Sequence, residues 1–354
     1  MKFELPKWYD LHVHFRQGDS MGDYIKAHVD MGCAGVLAMP NTQPPVARVS
    51  GENTDSYWTI ESYLNAIKEV GGDAFEDIIV PLYLTPDTTP EIIVEGANSG
   101  LLRSAKYYPP HGTTNSEHGA GLETYMNNGV FEAMSEAGVV LNIHGEEHGL
   151  SGEDYFGQDS NAEDYFYRER MPALVKKFPN LKIVCEHITT KTAADFVTNA
   201  NENVVATITP QHLMFTVADL LQGLKYHLYC LPLVKFEKDR DALLRAATSG
   251  KAKFFAGTDS APHTTKCTPC GCAAGCFTGG IAPQLYAQAF DLNDGNFDVF
   301  KNFLCLNGSN FYGLKIPDET FTLEKTPSNP TVTSDATPLH VGLGLESLDW
   351  TISL

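Results

Sequence analysis

The sequence predicts an α/β chain folded as a (β/α)8 TIM barrel, and three observations carry that reading. Short apolar runs alternate with helix-period segments along most of the 354 residues, the pattern of βα units around a parallel sheet. Eight such runs can be counted, at 9–14, 35–39, 78–84, 102–107, 139–144, 182–187, 204–207 and 254–258. Residue types that bind metals or move protons then fall at the ends of five of these runs, where such a barrel places its chemistry. Helices are expected between the runs, among them 56–70, 123–137, 168–178, 190–199 and 238–248.

Taken in order, the first run ends in His12-Val13-His14. Alternate strand residues share a face, about 6.5–7 Å apart, so both imidazoles can turn inward onto one ion. The alternative is an inward pair satisfied by core hydrogen bonds. Asp10 and Arg16, on the same parity, favour the metal. Lys106 lies near the end of the fourth run. A plain ammonium repels cations and would serve as a salt bridge at the barrel rim, whereas a lysine carboxylated by CO2 becomes an anion able to bridge two metals. His144 and His187 end the fifth and sixth runs. Either alone reads as structural, but together they can hold a second ion. Asp259 follows the eighth run in Gly257-Thr258-Asp259-Ser260-Ala261-Pro262-His263. It can give one oxygen to a metal and keep the other as a base, or it can cap a helix.

Composition narrows the partners. Lys and Arg number 25 against 44 Asp and Glu, a formal charge of −19, which argues against nucleic acid and anionic membrane surfaces. The chain is 43% hydrophobic and 19% charged, enough for a large core. No apolar run approaches the roughly 18–20 residues of a membrane helix, and the N-terminus has no signal-peptide pattern. A cytoplasmic location is expected, with the eight cysteines as thiols. Cys267, Cys270, Cys272 and Cys276 are read as thiols of a Gly-rich loop rather than a third metal site.

These residues sit in the segments DLHVHFR (10–16), MPNTQPPV (39–46), AKYYP…TTNS (105–116), LNIHGE (141–146), CEHITT (185–190), TPQHLMF (209–215), CLPLVK (230–235) and DSAPH (259–263). In that order, from residue 10 to about 314, the set resembles the dihydroorotases of the amidohydrolase superfamily, in the shorter class typical of many bacteria and fungi. The resemblance implies one amidohydrolase barrel domain over 1–354, with 325–354 as an extension packed on it. It implies two zinc ions bridged by carboxylated Lys106 and a hydroxide. His12, His14, Lys106 and Asp259 would hold one ion, and Lys106, His144 and His187 the other.

The implied reaction is the reversible cyclisation of N-carbamoyl-L-aspartate to L-dihydroorotate in pyrimidine (UMP) biosynthesis, with Asp259 as proton carrier. Arg16, Asn41 and His263 would bind the substrate carboxylate, and Leu231 and the backbone near Ala274 the ring amide. Thr113 and Thr114 would lie on a lid loop, 110–121, that excludes water. A homodimer is implied as well. Gln17 stands where the family often has an acidic residue and is expected to point away from the site. A hydantoinase, dihydropyrimidinase or allantoinase is the nearest rival, and Arg16 and Asn41, suited to an acidic ring substituent, speak against it. An inactive scaffold for a transcarbamoylase would have lost metal ligands, and all six are present. The stretches 339–345 and 348–352 are expected to form strands or loops over the barrel.

Overall fold

In the computed structural model, which describes residues 1–292, 296–345 and 347–354, the predicted runs become parallel strands in two sheets. The larger sheet orders Phe254–Ala256, Val204–Ile208, Ile183–Glu186, Val140–His144, Ser104–Tyr107 and Leu82–Tyr83. The smaller orders Trp8–Val13, Cys33–Ala38 and Asp77–Ile79. Every residue of Trp8–Val13, Cys33–Ala38 and Val140–His144 is buried, as strands covered on both faces must be. The run expected at 78–84 is two strands, because it contains Pro81, which has no N–H for the ladder. At the other junction the Phe254 strand meets the first strand. Ser260 bridges Val13 in parallel fashion, Asp259 N donates to His12 O at 2.9 Å, and His14 N donates to Ser260 O at 2.9 Å.

One apolar cluster draws on both sheets: Tyr9, Leu11, Leu37, Ile79, Val140, Val184, Val205 and Phe255 pack together, with Phe311, Tyr312 and Leu314 against them. A larger cluster fills the space between strands and helices. The first strand contributes Tyr9 and Leu11 to the inner cluster and then His12 to the functional layer, a change of parity made by an irregularity between Asp10 and Val13. Such irregularities re-aim side chains beside active sites. The common parity expected for Asp10, His12 and Arg16 therefore does not hold: Asp10 turns onto Thr258 and His28 instead.

The helices follow local capping. Thr190 Oγ1 accepts from Ala193 N and starts Lys191–Asn199, and Thr59 Oγ1 accepts from Ser62 N and delays the helix expected at 56 to Ile60–Glu69. The helix expected over 123–137 is two, Leu122–Asn127 and Val130–Ala137. They part at Gly129, whose φ of 88° belongs to the left-handed region. The helix expected at 168–178 is Met171–Lys177, preceded by a π-type turn, Phe166–Arg170. Lys2–Pro6, Thr320–Glu324 and Thr351–Ser353 form a separate antiparallel sheet. Residues Leu339–Gly342 are helical rather than a strand or loop, and Trp350 is buried against Phe297. No helix among the described residues is long and apolar enough to cross a membrane.

Candidate active site and metal centre

The strand ends converge. His12, His14 and Asp259 bring one ligand atom each within 4.8 Å of one another, and Asp259 Oδ1 lies 3.0 Å from His14 Nε2 and 3.4 Å from His12 Nε2. The rings run on in a chain, with centroids 5.3 Å apart for His14 and His12, 4.9 Å for His12 and His187, and 4.7 Å for His187 and His144. Lys106 is wholly buried, its Nζ 5.1 Å from the Tyr108 ring centroid. Neither Lys106 Nζ nor His187 Nδ1 has a hydrogen-bond partner among the described residues.

Electrostatics separate the groups. Burial pushes the Lys106 ammonium down to about 8 against the pull of Glu186 and Asp259. Burial raises the Asp259 carboxyl, but His12, the hydrogen bond from His14 and Lys106 outweigh it and hold the group at about 2. His14 is pushed down to about 3, chiefly by burial, and His144 and His187 are lowered for the same reason. At neutral pH the site thus combines an ionised Asp259 with neutral imidazoles at His14, His144 and His187, the protonation a metal needs of its ligands.

Buried carboxylates fix the histidine tautomers. His12 Nδ1 lies 2.7 Å from Glu186 Oε2. An ionised carboxylate only accepts, so Nδ1 donates to Glu186 and Nε2 is the nitrogen turned toward Asp259. Glu186 also accepts from Thr207 Oγ1 at 2.7 Å and from Asn142 Nδ2 at 2.5 Å. His144 Nε2 lies 2.8 Å from Glu146 Oε2, which leaves Nδ1 as the ring nitrogen able to take an ion. Asp10 accepts from Thr258 N at 3.0 Å and Thr258 Oγ1 at 2.6 Å, anchoring the residue before Asp259. Sequence reasoning missed Glu186 and Glu146. A charged residue ending the apolar run Ile183-Val184-Cys185 was the available signal for Glu186.

Beside this centre lies a cavity of about 300 Å3 lined by His14, Arg16, Asn41, Thr114 and His263, among others. A narrower inner space shares Arg16 and Asn41 and adds Thr113, Leu231, Asp259 and Ala274. Arg16, Asn41, Thr113, Thr114, Leu231, His263 and Ala274, dispersed in the chain, thus line adjoining spaces. Arg16 reaches Pro262 O through Nε at 3.4 Å, and His263 Nε2 lies 2.8 Å from Ala274 O. Gln17 does not point away: it lines the cavity, and its Oε1 accepts from Gln43 N at 2.7 Å. The 110–121 loop lies over the site. Asn41 Nδ2 donates to Thr114 O at 2.9 Å, Asn115 Nδ2 to Asn41 O at 3.0 Å, and Gln43 Nε2 to Asn115 Oδ1 at 2.8 Å.

Backbone strain marks the same place. Among the described residues the non-glycine positions with positive φ are Arg16, His111, Asn115, His187, Leu224 and Asp259. All but Leu224 belong to the site or its overlying loop, and strain of this kind gathers where function over-determines the backbone.

Comparison with known proteins agrees with this chemistry. A dihydroorotase of Saccharomyces cerevisiae, solved with 5-fluoroorotic acid, superposes with a TM-score of 0.86 at 28% identity, covering 99% of this chain and 98% of that one. A D-hydantoinase (dihydropyrimidinase) of Thermus shares the fold, with a TM-score of 0.76 at 14% identity over 99% of this chain and 83% of its own. No family model matches the sequence. Fold and site together define a cyclic amide hydrolase of the amidohydrolase superfamily. The dihydroorotase of Vibrio campbellii is 42% identical over 325 residues, 89% of this chain and 88% of that protein. The chain belongs to the dihydroorotase family.

Proposed function

We propose that this enzyme catalyses the reversible cyclisation of N-carbamoyl-L-aspartate to L-dihydroorotate, a step of pyrimidine biosynthesis, at a binuclear zinc centre on the rim of a closed (β/α)8 barrel. The observation that carries the reading is the convergence of His12, His14 and Asp259 beside a buried Lys106 without a partner among the described residues. Closure is supported by the Val13–Ser260 bridge and by the inner cluster drawn from both sheets. We read the chain as one domain with 325–354 packed on the barrel, supported by the Trp350 contact with Phe297. The homodimer rests on the family resemblance, and the cytoplasmic location on the sequence pattern alone.

The donor set fits a pair of ions. His12, His14 and Asp259 would hold one, His144 and His187 the other, and Lys106, once carboxylated, would supply the bridging anion that its bare ammonium cannot. When bound, the ions polarise the carbonyl under attack and provide a hydroxide nucleophile near neutral pH. The remaining work belongs to the protein. The Arg16 guanidinium, with Asn41 and His263, grips the substrate carboxylate. Leu231 and the backbone at Ala274 hold the ring amide. Thr113 and Thr114 close over the substrate and exclude water. In hydrolysis Asp259 accepts the nucleophile's proton and delivers it to the departing ring nitrogen. In cyclisation it removes a proton from the ureido nitrogen. Ring closure consumes a proton overall, so acid favours it.

The test pairs metal analysis with steady-state assays on L-dihydroorotate and dihydrouracil. The expected result is two zinc ions per chain, turnover of dihydroorotate far above dihydrouracil, and loss of activity on chelation. A preference for dihydrouracil would move the enzyme to the hydantoinase side. Full turnover after rigorous chelation would remove the metal centre from the mechanism.

A further inference from the structure

The Gly-rich segment after His263 folds into a small hairpin, Cys267–Thr268 paired antiparallel with Gly271–Cys272, in which Cys267 faces Cys272 and Thr268 faces Gly271. The ladder continues one step toward the site, where Ala273 N donates to Lys266 O at 2.8 Å. Lys266 and Ala273 are therefore a hydrogen-bonded pair, which makes Cys267 and Cys272 a non-hydrogen-bonded one. Such pairs hold their Cα atoms about 4.5 Å apart with side chains on one face, inside the roughly 4.4–6.8 Å window of a disulfide. The two Sγ atoms lie 3.3 Å apart. Cys267 is exposed and Cys272 half-buried, so a soluble oxidant can reach the pair.

The hairpin is tied to the cavity wall. Lys266 Nζ donates to the carbonyls of Tyr229 and Ala273, each at 2.6 Å, and of Gly275 at 2.5 Å. Ala274, next along, accepts from His263 and lines the inner space with Asp259. A constraint at Cys267 and Cys272 would act two residues from that wall.

We propose that Cys267 and Cys272 form a reversible intrachain disulfide that braces the cavity wall at Ala274. With a low-molecular-weight disulfide such as oxidised glutathione, the Cys267 thiolate attacks one sulfur and expels one glutathione thiolate. The Cys272 thiolate then attacks the mixed disulfide at the Cys267 sulfur and expels the second. One protein disulfide forms, one glutathione disulfide is reduced to two thiols, and the two protons from Cys267 and Cys272 end on them. Holding a loop in its bound conformation removes part of the ordering cost of binding, so the oxidised enzyme should have the lower KM for dihydroorotate. That consequence rests on the proposed function; the cross-link does not.

The experiment incubates the metal-loaded enzyme in graded mixtures of oxidised and reduced glutathione, with intact-mass and peptide mapping after alkylation, followed by kinetics. Wild type and Cys270→Ser should lose two alkylatable thiols and yield a peptide linking Cys267 to Cys272, reversed by excess thiol. Cys267→Ser and Cys272→Ser should yield no such peptide. KM for dihydroorotate should fall severalfold on oxidation at unchanged kcat, in wild type and Cys270→Ser only. Mixed glutathione adducts alone, or a link between other cysteines such as Cys230 and Cys276, would overturn the cross-link. A cross-link that leaves KM unmoved would overturn the brace. A reduced enzyme inert toward dihydroorotate would sink the proposed function while the mass data still decide the disulfide.

Discussion

Early in the parallel strands, Tyr9, Leu11, Val140, Val184 and Phe255 pack into one apolar layer. A few residues further along the same strands come His12, His144, His187 and Asp259, together with Lys106 and Glu186. The first layer is ordinary close packing. The second buries a lysine, several histidines and carboxylates, leaves Lys106 Nζ, His187 Nδ1 and Asn41 Oδ1 without partners among the described residues, and includes two backbone positions, His187 and Asp259, in the left-handed region. Side chains arranged for packing alone would not be left in that state, since each unmet polar group costs roughly 1–3 kcal/mol. The contrast teaches that the apolar layer provides the stability from which the site layer draws.

Substitutions in the two layers should therefore fail in different ways. The largest expected effect is on Asp259. Asp259→Asn should lower kcat by roughly 10²–10⁴-fold, the usual worth of a positioned proton carrier, while the metal-free protein still folds and unfolds cooperatively. Near-normal turnover would break the contrast at its centre. Phe255→Ala should do the reverse, costing about 3–5 kcal/mol in denaturant unfolding while the folded fraction keeps its kcat.

Glu186→Gln sharpens the boundary between the layers. It removes the negative charge behind His12 and leaves one acceptor oxygen where His12, Thr207 and Asn142 now share two, and metal affinity should fall about 10–100-fold, read by competition with a chelator. An unchanged affinity would reduce Glu186 to a packing residue. A pH profile tests Asp10, whose carboxyl burial pushes up to about 7 against the pull of its Thr258 hydrogen bonds. A raised carboxyl favours folding below its unfolded value of 3.8, and that contribution is lost as pH rises through about 7. Asp10→Asn should flatten the part of the stability profile between those limits, visible as a wild-type-minus-variant difference that is highest at acid pH and falls as pH rises toward about 7. A pH-independent difference would contradict it.

Much of the site could be read from the chain because strand ends and residue types are local facts. The HVH triplet, Lys106, His144, His187 and the DSAPH segment each stand at the end of an apolar run. The misreadings have equally specific causes. Parity counted from Asp10 fails because the strand slips between Asp10 and Val13. Gln17 was expected to face away, yet a reciprocal contact with Gln43, 26 residues on, turns it to the cavity. The helix expected over 123–137 breaks at Asn128-Gly129, a turn dipeptide set inside an otherwise helical period. The stretch 339–345 has alternation enough for a strand, but Leu339 N is taken by Phe277 O, a partner no local pattern names.

The sequence by itself determined the alternation of strands and helices, the residue types at the strand ends and the resemblance to dihydroorotases, because these depend on spacing along one chain. Tertiary structure alone decided which nitrogen of His12 faces the site, that Glu186 stands behind it, that Lys106 is buried without a partner among the described residues, and how far each group titrates from its usual range. Those properties are sums over neighbours brought together by folding. His12 and Glu186 are 174 residues apart in the chain and 2.7 Å apart in space, and Coulomb and desolvation energies depend only on the second distance.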